Sequence, residues 1–473
     1  MTAAGELAAP FYFRRLGPRW LATNDWGHHA FLDEAELSAL SRGAWPPGSP
    51  REAELAEKGF LRDRLDFASL SRRFRERELT GPSRPRLHTV EVTRRCDLAC
   101  RYCSASTRGP NARGADMTLR TAEAAARFIL ETSGPEAAVE LTGGEPTLNW
   151  PVVELLVARL KAGAREAGTV LRMSLQSNLS AFDDRHLEFI AREGISLCTS
   201  LDGTEWVHDW NRRRLGGGSH AAVARLLSSL RTLRAAGRGL AEPPSAVCTV
   251  TRRTLRDPDG VIDEFERLGV RRVQLAPLDP LGRAAGAWDE IGYEPEEFVA
   301  FYARALDRLL SRSDGRAEPS FEKGGVIFLL RALGNRQWRH PNRDALTRLA
   351  YSVDGGVYPS DEARLLAAGG DETFRLGDAA LDRYEDILAR PAARAVILAA
   401  LPWADPACSR CAWSPFCRVP AAVRHAHASG RGDPAAARWR CRLYRGVFDL
   451  LFERLADPRR RPVLESWLDY AQF

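Results

Sequence analysis

The sequence predicts an α/β fold organised as a partial (β/α)6 TIM-like barrel between two smaller units, and three observations predict it. From residue 88 to 312, six short β-type runs alternate with longer helical patterns, and repeated βα units wind right-handedly into a parallel sheet. On either side the rhythm breaks, with short strands and turns before residue 80 and an irregular, cysteine-bearing stretch after 315. A chain of 473 residues with 44% hydrophobic content has room for roughly three units with packed cores. The divisions fall at 1–80, 81–315 and 316–473.

In the first unit, "FYFRRLGPRWLATNDWGHHAFLD" reads as two or three strands with turns at Gly17-Pro18 and Asn24-Asp25. "EAELSAL" and "EAELAEKGFL" read as helices, separated by a Pro/Gly-rich break from Trp45 to Pro50. The barrel strands are expected at His88–Thr93, Ala138–Thr142, Val170–Gln176, Ile195–Ser200, Ser245–Thr251 and Arg272–Ala276. Helices are expected at Leu119–Glu131, Val152–Ala167, Asp184–Glu193, His220–Ala236, Val261–Leu268 and Glu294–Arg312. Such a barrel carries its chemistry on the loops that follow the strands. Further on, "YSVDGGVYPSDE" reads as a hairpin, and the cysteines beyond it suggest a region organised by metal more than by a large core.

A net charge of +6 is too thin over this length for a nucleic-acid coat, and only three of the 68 basic residues (Lys58, Lys161, Lys323) are lysines, so arginine density by itself locates no binding patch. No apolar run reaches the roughly 18 residues of a membrane span, and Met1–Pro10 lacks a cationic and an apolar signal region, so a cytoplasmic chain is expected. Nine cysteines in a reducing compartment are not expected to form disulfides. Cys198 and Cys248 sit singly in strand-like runs and read as core.

The other seven form two groups. "VTRRCDLACRYCSAS" places Cys96, Cys100 and Cys103 in the spacing C-x3-C-x2-C directly after the first barrel strand. Three thiolates leave a zinc site one ligand short, whereas they hold three irons of a 4Fe-4S cluster and leave the fourth open. This trio, with Tyr102 as the aromatic before its last cysteine, resembles the radical S-adenosylmethionine (radical SAM) superfamily. The resemblance implies that SAM binds the open iron and is cleaved to a 5′-deoxyadenosyl radical. It also implies SAM-contacting residues at the later strand ends: Gly143, Gly144, Glu145 and Pro146 in "TGGEP", Ser177 and Asn178 in "QSNLS", Ser200 and Asp202 in "SLDG", Arg212 on the SAM carboxylate, and the backbone of Leu275 and Ala276 at the adenine.

The second group, Cys408, Cys411, Cys417 and Cys441, has a spacing compatible with structural zinc or with a fully ligated 4Fe-4S cluster. Downstream of a radical SAM barrel it resembles the SPASM domain of peptide maturases. Two cysteines of that pattern are replaced, by Ser360 and Ala421, which implies one auxiliary cluster on the four that remain. Asp361, directly after Ser360, stands where sulfatase-maturing relatives place a proton acceptor. His425 and His427 are not expected to be ligands.

Over nearly the whole chain, "FRRLGPRWLATNDWGHHAFL", "GGEPTLN", "SNLS", "CTSLDG", "APLDPLG" and "YPSDEARLL" resemble the His-Xaa-Ser system radical SAM maturase of the B type. That implies a ribosomally made peptide substrate with a leader, captured by a winged-helix-like first unit as an added edge strand. It also implies a second radical SAM maturase as partner and a low-potential reductant such as flavodoxin. The alternatives are sulfatase-type formylglycine formation and a non-catalytic, metal-stabilised peptide-binding subunit.

Overall fold

The computed structural model describes residues 8–471 except 44, 46–47, 76–83, 215, 238, 241, 314, 317, 335–343, 402–404, 418 and 432–437. The expected division at residue 80 and part of the Trp45–Pro50 break lie outside the described residues.

Three antiparallel strands open the chain: β1 (Tyr12–Leu16), β2 (Arg19–Thr23) and β3 (His29–Leu32). Gly17, with φ +53, makes the first turn. Asp33 caps the helix Glu34–Ser41 in a reciprocal box with Glu36, and Ser49 caps Pro50–Glu57. These elements enclose their own small core of Leu32, Leu37, Leu40, Leu55, Phe60 and Leu61.

Among the described residues the central sheet has ten strands. Six of them are the expected barrel strands: β4 (Leu87–Glu91), β6 (Glu136–Thr142), β7 (Val170–Ser177), β8 (Ser196–Ser200), β10 (Ser245–Thr249) and β11 (Arg272–Ala276). They lie side by side in chain order and in parallel. Helices Leu119–Thr132, Trp150–Ala167, Asp184–Arg192, His220–Ala235 and Pro258–Arg267 connect them. A short β5 (Leu98–Cys100) pairs outside the sheet with β9 (Arg212–Arg214).

The sheet stays open and is extended at both edges. β12 (Phe321–Glu322) joins β11 in parallel. At the other edge β13 (Arg348–Tyr351) pairs with β4, and β14 (Gly356–Tyr358) and β15 (Gly377–Asp378) follow antiparallel. The expected hairpin therefore exists, and it continues the barrel sheet.

Metal as the main organiser of the C-terminal region is not what the packing shows. Helix Trp439–Ala456 buries Leu443, Val447, Phe448, Leu451, Phe452 and Leu455, and it packs along Pro295–Ser313 in the same continuous core as the barrel. A helix with this many large apolar residues finds its place by hydrophobic burial whether or not a metal is bound.

Candidate active site and cysteine clusters

The first three cysteines lie on the loop that leaves β4, and neighbouring segments clamp that loop from three sides. In the β5–β9 ladder Cys100 stands opposite Arg212. From the β6 end, the Gly144 N–H donates to the Thr93 carbonyl and the Glu145 N–H to the Arg95 carbonyl, both at 2.7 Å. After β11, the Arg283 N–H donates to the Cys103 carbonyl at 2.9 Å.

A Cβ on Gly143 would stand 2.4 Å from the Thr93 carbonyl oxygen, and one on Gly144 2.2 Å from that of Arg95. Besides the SAM contact that the resemblance implies for these glycines, the cysteine loop itself demands them. Pro146, buried, opens the single turn Pro146–Asn149 that follows.

Glu145 has no solvent exposure. Its carboxylate accepts from the Ser177 hydroxyl at 2.8 Å, the Asn178 N–H at 2.8 Å and the Thr147 hydroxyl at 2.8 Å. Burial raises its pKa against the pull of these donors. The Asn178 amide donates to Asp97 at 3.0 Å and lies 3.6 Å from Cys96 Sγ. Glu145, Ser177 and Asn178 thus come together, with the amide touching the first cysteine. The turn requires the buried Leu179 to sit at φ +63, a left-handed conformation that costs energy for a side chain of this type.

At the β8 end, Tyr102 donates its hydroxyl to Asp202 at 2.6 Å, and Arg212 meets the same carboxylate at 3.1 and 3.3 Å. The Thr249 N–H adds a bond at 3.1 Å. Burial opposes the Arg212 charge, but Asp202 and Tyr102 hold its pKa above the ordinary value. The guanidinium that the resemblance sets against the carboxylate of SAM meets Asp202 through Nε and Nη2, since a buried cation needs a buried anion. Ser200 ends β8 half-buried, and the Leu275 N–H lies 3.4 Å from the Glu322 carboxylate, which engages that donor inside the protein.

Asp361 is the first residue of helix Asp361–Ala368, which Ser360 caps by accepting from the Ala363 N–H at 3.3 Å. The expected proton acceptor is ion-paired: Arg364 donates to Asp361 at 2.8 Å and, fully buried, also bonds Glu91 at the end of β4. Glu91 in turn receives Arg94 at 3.2 Å. Sequence reasoning missed Glu91, Arg364 and Asp97. For Glu91 a signal existed, a carboxylate among the buried residues that close a barrel strand.

The C-terminal cysteines lie on turns around a buried indole. Cys411 N–H donates to the Cys408 carbonyl at 3.1 Å and Cys417 N–H to that of Trp413 at 2.7 Å, with Trp413 stacked 5.1 Å from Phe452. Cys441 belongs to helix Trp439–Ala456. His425 and His427 bond Asp371 at 2.7 Å and Asp279 at 3.1 Å.

Spacing bears on which metal each group fits. A tetrahedral zinc with Zn–S near 2.3 Å holds its sulfurs about 3.8 Å apart, and among the described residues no three His, Cys, Asp or Glu side chains converge as a single-ion site. Yet the four C-terminal thiols share one electrostatic neighbourhood, Cys417 feeling Cys441, Cys411 and Cys408. In the first group Cys100 feels Cys103, and Cys96 feels Cys100. Four thiols suit zinc or a fully ligated 4Fe-4S cluster, and three thiols leave one iron of a cluster open. Burial pushes the Cys100 and Cys417 thiols up to about 12 and Cys408 to about 11, so loading either group displaces protons.

The family described as Radical SAM superfamily matches residues 90–240. A cysteine-type anaerobic sulfatase-maturating enzyme of Clostridium perfringens is 21% identical over 76% of this chain and 95% of its own. An AdoMet-dependent heme synthase of Nitratidesulfovibrio vulgaris is 29% identical over 42% of this chain, which spans 50% of that relative's length. Among solved structures, anSMEcpe with bound AdoMet superposes with a TM-score of 0.63 at 18% identity, covering 78% of this chain and 98% of that one. Streptococcus suis SuiB bound to precursor peptide SuiA gives 0.52 at 12%, covering 87% and 94%.

Proposed function

We propose, on the match of residues 90–240 to the family described as Radical SAM superfamily, that the chain is a radical SAM peptide maturase acting on a ribosomally made peptide of the His-Xaa-Ser repeat type. When bound, a 4Fe-4S cluster and SAM supply one-electron cleavage of the sulfonium to a 5′-deoxyadenosyl radical, which removes a hydrogen atom from the peptide. The observation that carries this reading is the convergence of three strand ends on the cysteine loop: Gly143–Glu145, Ser177–Asn178 and Asp202 all contact it or its partners.

In this reading Cys96, Cys100 and Cys103 hold the catalytic cluster, and Cys408, Cys411, Cys417 and Cys441 hold one auxiliary cluster. Glu145 fixes the Asn178 amide against Cys96, while Asp202 fixes Tyr102 and Arg212 against Cys100. Asp361 is held by Arg364 at the start of its helix. The N-terminal sheet, with β1 and β3 at its edges, would take the leader peptide as an added strand; SuiB, similar in fold, has been solved with its precursor peptide.

Sulfatase-type formylglycine formation is the second reading, favoured by the match to 95% of the sulfatase-maturating relative. Anaerobic reconstitution tests both. The expected outcome is iron-sulfide absorbance with about eight irons per chain, 5′-deoxyadenosine release on reduction, and loss of that release in Cys100→Ala. Zinc in both sites without SAM cleavage would overturn the enzyme reading in favour of a peptide-binding subunit. An aldehyde in the product, trapped with a hydrazide, would select formylglycine formation.

A further inference from the structure

On the surface outside the cysteine loop, four side chains alternate as cation and indole. Arg101 lies between Cys100 and Tyr102 in the chain; its guanidinium is 4.2 Å from the Trp210 ring centre and donates to the Trp210 carbonyl at 3.0 Å. On its other face Trp210 meets Arg253 at 4.0 Å, and Arg253 meets Trp206 at 4.1 Å. Trp206 is 61% exposed. The ladder therefore runs from an indole in solvent to the residue between two cluster ligands.

A tryptophan this exposed costs solvation free energy in an isolated molecule, and Trp and Arg are the residues most enriched at interface hot spots. Charge indicates the partner. Among the described residues neither Arg253 nor Arg256 has a carboxylate within ion-pair reach. Burial first, and then the like charges of Arg256 and Arg101, hold Arg253 below the usual arginine range. The nearby acids are engaged: Glu290 accepts from Arg101 and Glu297 from the Glu294 N–H. Arg252 and Arg256 also rim a surface depression of about 500 Å³ lined by Leu255, Pro258 and Phe301. A cationic, aromatic surface with a shallow concavity fits an acidic protein.

We propose that this surface docks a small acidic electron carrier of the flavodoxin class. It would deliver one electron to the cluster on Cys96, Cys100 and Cys103, the carrier being oxidised by one electron and the cluster reduced by one, with no bond made or proton moved. The proposal rests on the radical SAM reading, which requires such an electron. Arg101, next to Cys100 in the chain, links this surface to the cysteine loop.

The test uses the reconstituted full chain, an acidic flavodoxin and, in parallel, dithionite. Flavodoxin affinity and the rate of cluster bleaching are measured for wild type, Arg253→Glu/Arg256→Glu and Trp206→Ala. The double variant is expected to lose about tenfold or more in both readings, and wild-type affinity is expected to fall with added salt. Dithionite should reduce all three proteins alike, which excludes misfolding as the cause. Undiminished affinity and reduction of the double variant by flavodoxin would overturn the docking surface alone. Failure of dithionite-reduced wild type to cleave SAM would overturn the functional reading and this proposal with it.

Discussion

Asp202 shows how one side chain holds a site together. It has no solvent exposure and receives Tyr102, Arg212 and the Thr249 N–H. Removing one partner of a buried pair leaves the other charge stranded, at a cost of about 3–5 kcal/mol. Asp202→Ala is therefore expected to lower the urea-unfolding free energy by that amount. Asp202→Leu combined with Arg212→Met should recover most of the loss, since the stranded guanidinium is gone. At this scale the sequence was informative about identity and less so about partnership. The places of Cys96, Asn178 and Asp202 after successive strands were legible from the sequence. That Arg212 would face Asp202, and Asp361 Arg364, was not, because the partner of a buried charge is chosen by three-dimensional proximity.

Among the elements, the "GGE" turn after β6 is the most tightly constrained. A methyl group on Gly144 would overlap the Arg95 carbonyl, which belongs to backbone and has no rotamer in which to yield. Gly144→Ala is expected to push the cysteine loop away from β6 and to reduce iron loading of the first cluster, measured as iron per chain, while leaving the C-terminal cluster filled. The helix Asp361–Ala368 illustrates a gentler substitution. Serine at position 360 accepts the Ala363 N–H, an N-cap role that suits a hydroxyl, so the residue standing where the maturase pattern has cysteine is put to structural use. The strands and helices of the barrel were legible almost residue by residue because their apolar periods of two and 3.6 are strong over six repeats. β12 and β15, two residues each, carry no such period and appear only when the sheet is assembled.

At the scale of the whole molecule, His88 and His208 are buried and His29 is half-buried. Burial lowers the pKa of His88 and His29 to about 3, and that of His208 well below its ordinary value. The unfolded chain protonates them near pH 6.5 and the folded chain does not. Their contribution is thus present above pH 6.5 and is lost as pH falls toward 3, with a slope of about 1.4 kcal/mol per pH unit for each group. Unfolding measured at pH 7, 6 and 5 should show this decline, and His88→Gln should make it shallower. The N-terminal strands and the cysteine-bearing region are in direct contact. Thr23 at the end of β2 donates to the Ala412 carbonyl at 2.7 Å, and the His29 ring packs 5.2 Å from Phe452, so the N-terminal sheet rests directly on the cysteine-bearing region.

By itself the sequence determined the order of the elements and the grouping of the cysteines, because periodicity and spacing are properties of a chain read in one dimension. The tertiary structure decided which groups meet: that the glycines serve the cysteine loop, that Asp202 claims Arg212, and that one core runs from the barrel into the C-terminal helices. Those outcomes depend on desolvation and close packing between segments far apart in the chain. Buried charges and apolar surfaces take their partners from whatever the fold brings within reach.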